Sequence, residues 1–217
     1  MSLLRVVTID GAAGSGKSTL ARGLALALGL AYVNTGLMYR ALTLEAVDRG
    51  VDTDDEGAIA GLIATLRFSL DDGDPPQLSI EGSPPAARLN STEVERDVSR
   101  VARHPAVRSL MGSEQRRLGA VGSVIEGRDM GSVVFADAPV KLYLEADPAA
   151  RADRRARERV GGDVEQALHA RDRRDMQVNP FEPAAGAVVI DTTELGIDGV
   201  LHAALEVIRA SAPELLG

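Results

Sequence analysis

Gly11-Ala12-Ala13-Gly14-Ser15-Gly16-Lys17-Ser18-Thr19 decides how the rest of this sequence is read. The stretch fits G-x-x-x-x-G-K-[ST] at every position. Before it, Leu3-Leu4-Arg5-Val6-Val7-Thr8-Ile9 is a β-branched run that predicts a buried strand. After it, the Ala/Leu-rich residues 20–28 predict a helix. A strand, a glycine-rich turn and a helix in that order make a phosphate-binding loop. Glycines let the backbone take positive φ and curl around an anion. The N–H groups of the curl point inward, and the following helix brings its positive end to the same place. Lys17 then carries an ammonium to the β- and γ-phosphates of a nucleoside triphosphate, and the Ser18 hydroxyl is placed to ligate Mg²⁺. Lys17 and Lys141 are the two lysines among 24 basic residues. A composition that favours arginine elsewhere has kept a lysine here.

With 217 residues the chain is one domain, with room for inserted subdomains and a sizeable core. Aromatic residues are 3% and tryptophan is absent, so that core is aliphatic. The absence of cysteine excludes disulfides, thiolate chemistry and cysteine metal sites. A formal net charge of −8 argues against broad binding to nucleic acid, which needs a basic surface. Locally clustered arginines suit a small anionic ligand better. With no signal-like N-terminus and no long apolar run, a cytoplasmic protein without membrane contact is expected, and a monomer.

Further along, Ala31-Tyr32-Val33 predicts a second strand, then Asn34-Thr35-Gly36 and a helix over residues 37–49, with Asn34 or Thr35 as its cap. Tyr39 and Arg40 fall in its first turns, either facing a ligand or on a plain amphipathic surface. Residues 52–66 predict another helix. Residues 66–89 alternate around Asp71-Asp72-Gly73-Asp74-Pro75-Pro76, which predicts a hairpin with a flexible tip outside the main sheet. Two helices follow, one carrying Val94, Val98 and Val101, the next beginning after His104-Pro105. Ser123-Val124-Ile125-Glu126 predicts a core strand ending in Gly127-Arg128-Asp129-Met130-Gly131, where α/β sheets place ligands. Strands at residues 140–144 and 188–190 and a last helix over 197–211 complete an α/β pattern. The expected fold is a three-layer sandwich around a parallel five-stranded sheet. Arg151, Arg154, Arg155, Arg157 and Arg159 crowd one stretch between those last strands. Like charges three and four apart repel on a helix. Either Asp153 and Glu158 serve as counterions on a solvated helix, or a phosphate relieves the repulsion. Arg171-Asp172-Arg173-Arg174-Asp175 is open to the same two readings.

Gly11–Thr19, Asn34-Thr35-Gly36-Leu37-Met38-Tyr39-Arg40, Glu126-Gly127-Arg128-Asp129-Met130-Gly131-Ser132-Val133-Val134-Phe135 and the Arg171–Asp175 segment together resemble the bacterial cytidylate (CMP) kinases, in register over almost the whole chain. That resemblance implies a P-loop nucleoside-monophosphate kinase. Its core would span residues 1–60, 104–149 and 171–217, with an inserted monophosphate-binding region at 61–103 and a lid at 150–170. It implies that Gly11, Ala12, Ala13, Gly14, Ser15, Gly16, Lys17, Ser18 and Thr19 hold ATP. Arg40 and Arg128 would hold the acceptor phosphate with Thr35 nearby, and Tyr39 would lie against the pyrimidine. Ser99, Arg108 and Asp129 would read the cytosine edge, and Arg171 and Asp175 would meet the ribose. Arginine forks match phosphate oxygens, and an ionised Asp accepts from the cytosine amino group but repels the uracil carbonyl. The implied reaction is ATP with CMP, or dCMP, giving ADP and the diphosphate. Lys17, Arg128 and the lid arginines Arg154, Arg155 and Arg159 would neutralise the moving phosphoryl group. Asp10 and Glu126 would orient Mg²⁺ waters or be plain polar strand ends. The acceptor oxygen is already ionised near neutral pH, so no general base is needed, and His104, His169 and His202 have no assigned role.

One position departs from the family. Where an Arg commonly follows the Arg-Asp-x-x-Asp segment, this chain has Val178. Another acceptor (UMP, AMP, shikimate or dephospho-coenzyme A) is the enzymatic alternative. A nucleotide-gated switch lacks its motifs: neither Asn-Lys-x-Asp nor Leu-Ser-Gly-Gly-Gln occurs.

Overall fold

Strand β1, Val6–Gly11, is buried along its whole length because it has parallel neighbours on both edges and helices on both faces. β2 (Ala31–Asn34), β5 (Ser123–Glu126), β6 (Val140–Glu145) and β7 (Val188–Asp191) join it in the order β2-β5-β1-β6-β7, all parallel. This is the expected five-stranded sheet. The structure, a computed structural model, describes residues 4–158, 176 and 182–216. Arg159, Arg171, Asp175, Val178, His169 and most of the expected lid lie outside the described residues, as does the side chain of Arg155.

Alternation along the strands sorts the core into two layers. Val6, Val33 and Ile125 point to one face and pack with α2 (Thr35–Asp48), α3 (Glu56–Ile63), α4 (Thr92–Arg103) and α5 (Pro105–Gly119). Val7, Ile9, Tyr32 and Val124 point to the other and pack with α1 (Lys17–Leu28) and the C-terminal helix Ile197–Ser211. Fully buried Leu24, Met38, Met111 and Ile125 each contribute about 1.5–3 kcal/mol by leaving water.

The helices start where their caps allow. Asn34 accepts from Leu37 N at 3.1 Å, so α2 begins at Thr35, two residues earlier than expected. Asp55 accepts from Ala58 N at 3.0 Å, and α3 is shorter than the expected 52–66, because Asp52 and Asp54 close a turn of their own. The hairpin pairs β3 (Phe68–Leu70) with β4 (Leu78–Ile80) as a separate antiparallel sheet. Its tip is braced by Asp71, which accepts from Gly73 N and Gln77 N at 3.0 and 2.8 Å. Pro76 O accepts from Tyr32 N at 2.8 Å, hooking the hairpin to the edge strand β2. In β7, an edge strand, Val188 and Val189 are exposed among the described residues and Ile190 is buried.

Carboxyl ends of β1, β2 and β5 meet in one place, and each continues directly into a loop or turn at the same end of the sheet. Such a crevice is where open α/β sheets hold ligands.

Candidate active site

Gly14 shows why the phosphate loop needs glycine. Its φ is +77°, and a Cβ there would lie 2.8 Å from Arg151 O. Gly11, at φ +146°, would place a Cβ 2.4 Å from Leu144 O. The loop therefore fits between β6 and α6 (Pro148–Glu158) only without side chains at these points. Gly16 caps α1 in the left-handed region, so the helix starts at Lys17. The Lys17 ammonium donates to Ala12 O at 2.6 Å, folded over the loop.

Three further cations or hydroxyls bind this loop's carbonyls. Arg128 donates to Gly11 O at 3.2 Å and Arg151 to Ala13 O at 3.1 Å, while Thr192 Oγ1 donates to Ser15 O at 3.2 Å. Arg151 is buried. The sequence flagged it only as one of a crowded set, and its missed signal is its place in the first turn of α6, nearest the loop. Arg154, expected to meet the transferred phosphate, instead donates to Thr192 Oγ1 at 2.9 Å and to Thr192 O. The reason is local: residue 154 lies one turn further along α6, opposite the end of β7. In this structure the first two turns of α6 are tied to the core.

Ser18 Oγ donates to Glu126 Oε2 at 3.0 Å, and the Tyr32 phenol donates to Glu126 Oε1 at 2.6 Å. Burial, with the carboxylate beside it, pushes the Tyr32 phenol pKa up. Thr35 Oγ1 donates to Glu126 O at 2.7 Å, which fixes the start of α2 on β5. Asp10 is used differently from Glu126. Its two oxygens accept from Met130 N at 2.9 Å and Gly131 N at 2.8 Å. They cap the π-helical turn Met130–Val134, which presents Arg128 and Asp129. Asp10 is thus a backbone anchor in this structure. Burial pushes its carboxyl pKa up to about 6, with the Asp129 charge adding to this and the Met130 and Gly131 N–H groups and Lys17 opposing it.

The opposite wall collects groups from separate elements. Arg40 is buried and donates to Leu89 O at 3.0 Å and to Glu95 Oε2 at 2.5 Å. Arg108 is ion-paired with Asp129. Ser99 is buried on α4, and burial is also the main reason the Tyr39 phenol pKa is pushed up to about 12. A cavity of about 250 Å³ opens between the walls. Gly14, Lys17 and Ser18 line one side, and Tyr39, Arg40, Ser99, Arg108, Arg128 and Asp129 line the other. Of the remaining sequence-derived residues, Ala13, Thr35 and Glu126 also line it, whereas Gly11, Ala12, Ser15, Gly16, Thr19 and Asp10 do not. His104 Nε2 lies 2.8 Å from Thr53 O, away from the cavity. No group of three or more His, Cys, Asp or Glu suited to a metal occurs among the described residues. Mg²⁺ in a phosphate loop does not need one, since it keeps waters and phosphate oxygens as ligands.

A parallel sheet whose first strand runs through this loop into α1, with an arginine-lined wall facing it across the cavity, defines a P-loop kinase. A gluconokinase from Sinorhizobium meliloti shares the fold at TM-score 0.54 and 15% identity, over 98% of this chain and 95% of that one. The family model for cytidylate kinase matches residues 7–210. A cytidylate kinase of Methylococcus capsulatus is 40% identical over 94% of this chain and 97% of its own length. One of Rhodococcus jostii is 41% identical over 94% of both. The chain belongs to the cytidylate kinase family and is a nucleoside-monophosphate kinase. No helix among the described residues is long and apolar enough to cross a membrane.

Proposed function

We propose that this enzyme transfers the γ-phosphoryl group of ATP to CMP, with dCMP as a second acceptor, giving ADP and CDP or dCDP. One observation carries the reading: a single cavity has the phosphate-loop Lys17 and Ser18 on one side and Arg40, Arg128, Arg108 and Asp129 on the other. Two anionic nucleotides are brought tail to tail across it. Lys17 would leave Ala12 O for the β- and γ-phosphates. Arg40 and Arg128 would hold the acceptor phosphate in their forks, aligning its oxygen for in-line attack. That oxygen needs no base, because the second ionisation of a phosphate falls at about 6. Asp129, held by Arg108, would accept from the cytosine amino group. Tyr39 would lie flat against the ring.

Ser18 and Glu126 would hold Mg²⁺, the first by a lone pair and the second through water. The ion supplies charge neutralisation on the β- and γ-oxygens. Ser18's hydrogen already goes to Glu126, so its lone pairs are left for a cation. Residues 61–103 are proposed as the monophosphate-binding insertion and 150–170 as the lid. Arg154, Arg155 and Arg159 are the proposed lid cations, Arg154 leaving Thr192 for the phosphoryl group, and Arg151 joins them at the loop itself. Arg171 and Asp175 are proposed for the ribose.

An ADP-release assay across CMP, dCMP, UMP, AMP, shikimate and dephospho-coenzyme A tests this. CMP and dCMP should give the highest kcat/KM. Equal use of UMP would defeat the Asp129 reading, and preference for any other acceptor would defeat the whole assignment.

A further inference from the structure

Tyr32 lies in strand β2 and does not line the cavity, yet it touches the carboxylate that does. Its ring is buried, at 3% exposure, and Glu126 is buried at 4%. The phenol oxygen accepts from Asn34 Nδ2 at 3.2 Å. Its single hydrogen goes to Glu126 Oε1 at 2.6 Å. The direction of this bond is settled by the neighbour, because an ionised carboxylate only accepts and an amide N–H₂ only donates. Glu126 Oε2 accepts from Ser18 Oγ at 3.0 Å. The Arg22 guanidinium, 5.5 Å from the ring centroid, rests over the same ring. Asn34 in turn accepts from Leu37 N in the first turn of α2.

We propose that Tyr32 is a positioning residue for Mg²⁺: it locks the Glu126 carboxylate in the rotation that faces Ser18, and so sets how strongly Mg²⁺ tightens ATP binding. The proposal rests on the reading of Ser18 and Glu126 as the Mg²⁺ side of the site. Three physical points support it. A carboxylate on a three-bond stem turns freely unless both oxygens are held, and here each has one donor. Mg²⁺ demands near-ideal octahedral geometry, so a mis-rotated water-orienting carboxylate is costly. Hydrogen-bond partners of metal-site carboxylates change metal affinity by about 10–100-fold when removed. Asn34 adds a consequence. The chain Ser18–Glu126–Tyr32–Asn34–Leu37 runs from the phosphate loop to the first turn of α2, but Asn34 caps that helix through its own carbonyl, so loss of the phenol leaves the acceptor wall in place.

The test uses the full chain and ATP, without acceptor. The dissociation constant of ATP is measured by calorimetry in excess Mg²⁺ and in EDTA, and their ratio is the readout. Ser18→Ala and Glu126→Gln should collapse the ratio seen in the wild type. Tyr32→Phe, which keeps the ring, should cut it about tenfold while leaving the EDTA value unchanged. In turnover the same variant should need more Mg²⁺ for half-maximal rate, with the KM for CMP within about twofold of wild type. An unchanged ratio, or equal weakening with and without Mg²⁺, overturns the proposal, the second outcome marking a purely structural tyrosine. If Tyr32→Phe does not fold, Glu126→Asp serves. It keeps the charge but its shorter stem cannot reach both the phenol and Ser18, so the ratio should fall, and an undiminished ratio overturns the proposal. If Ser18→Ala and Glu126→Gln leave the ratio intact, the Mg²⁺ reading itself falls and Tyr32 with it. If those two lower it and Tyr32→Phe does not, Tyr32 alone is refuted.

Discussion

Gly14, Lys17 and Ser18 reach the cavity from one turn of chain, whereas Arg40, Ser99, Arg108 and Asp129 reach it from α2, α4, α5 and the turn after β5. The first wall is made of backbone, helix dipole and one ammonium, all fixed by local conformation. The second is made of side chains that must be packed into place from afar, and two of its guanidinium groups are held by carboxylates: Arg40 by Glu95, Arg108 by Asp129. A local wall can recognise any polyphosphate. A wall assembled from several elements can be tuned to one acceptor, because its geometry depends on how α2, α4 and α5, which lie between β2 and β5 in the chain, pack together.

If that contrast holds, damage to the first wall should abolish turnover and damage to the second should change which acceptor is used. Lys17→Ala is expected to have the largest effect. Loss of one preorganised charge on the moving phosphoryl group should lower kcat by about 10²–10³-fold or more. The coupled assay at saturating ATP and CMP measures it, with circular dichroism to verify folding. A kcat near wild type would remove Lys17 from the mechanism and break the contrast at its strongest point. Next comes Arg40→Ala. Charge-assisted hydrogen bonds contribute about 1.5–3 kcal/mol, so the KM for CMP should rise roughly 10–100-fold. The KM for ATP should stay within a factor of about two, since the phosphate loop is untouched. A rise in both would show that the walls are not independent.

Asp129→Asn sharpens the acceptor side. The amide can donate where uracil has a carbonyl, so the CMP-to-UMP ratio of kcat/KM should fall by about tenfold or more. An unaltered ratio would place base recognition elsewhere, with Ser99 and Arg108 the nearest candidates. The variant also loses the ion pair with Arg108, so total kcat/KM should drop as well.

The contrast also explains what the sequence disclosed. A contiguous loop advertises itself: glycines at 11, 14 and 16, a lysine and a helix are all local signals, and the structure puts each where its chemistry needs it. The strands too are legible, from β-branched runs bounded by polar ends, and their parallel pairing follows from alternation with helices, while the order β2-β5-β1-β6-β7 is disclosed by the structure alone. Arg108 carries no such local signal, and Arg40 and Asp129 carry only their places at a helix start and a strand end, which do not tell a role. Resemblance to a family named them, not spacing, and only the fold brings them around one cavity. Arg151 and Tyr32 were invisible as site residues for a related reason. One acts on a carbonyl 138 positions away and the other on a carboxylate 94 positions away, contacts no periodicity encodes. Arg154 meets Thr192 in this structure, a contact that helix spacing does not encode, since spacing says which residues share a face and not what that face meets.

Asp10 stands on the seam, since it ends the local strand but caps the turn that presents Arg128 and Asp129. Its substitution should give the smallest effect on turnover and the clearest effect of pH on stability. In the folded protein its pKa is about 6, raised by burial from the usual carboxylate value of 3.8. A raised carboxyl pKa means that the folded state prefers the protonated form. The stability this group contributes is therefore fully present below about pH 4 and is lost as pH rises through about 6. Asn cannot titrate, so urea unfolding of Asp10→Asn between pH 4 and pH 6 should lack this component. The stability difference between variant and wild type should shift in favour of the variant as pH rises, by at most about 1.4 kcal/mol per pH unit. Asn still offers one oxygen to Met130 N or Gly131 N, so the turn should form, and the KM for CMP should rise only a few-fold. If the difference between variant and wild type does not change with pH, the Asp10 carboxyl is solvated in solution.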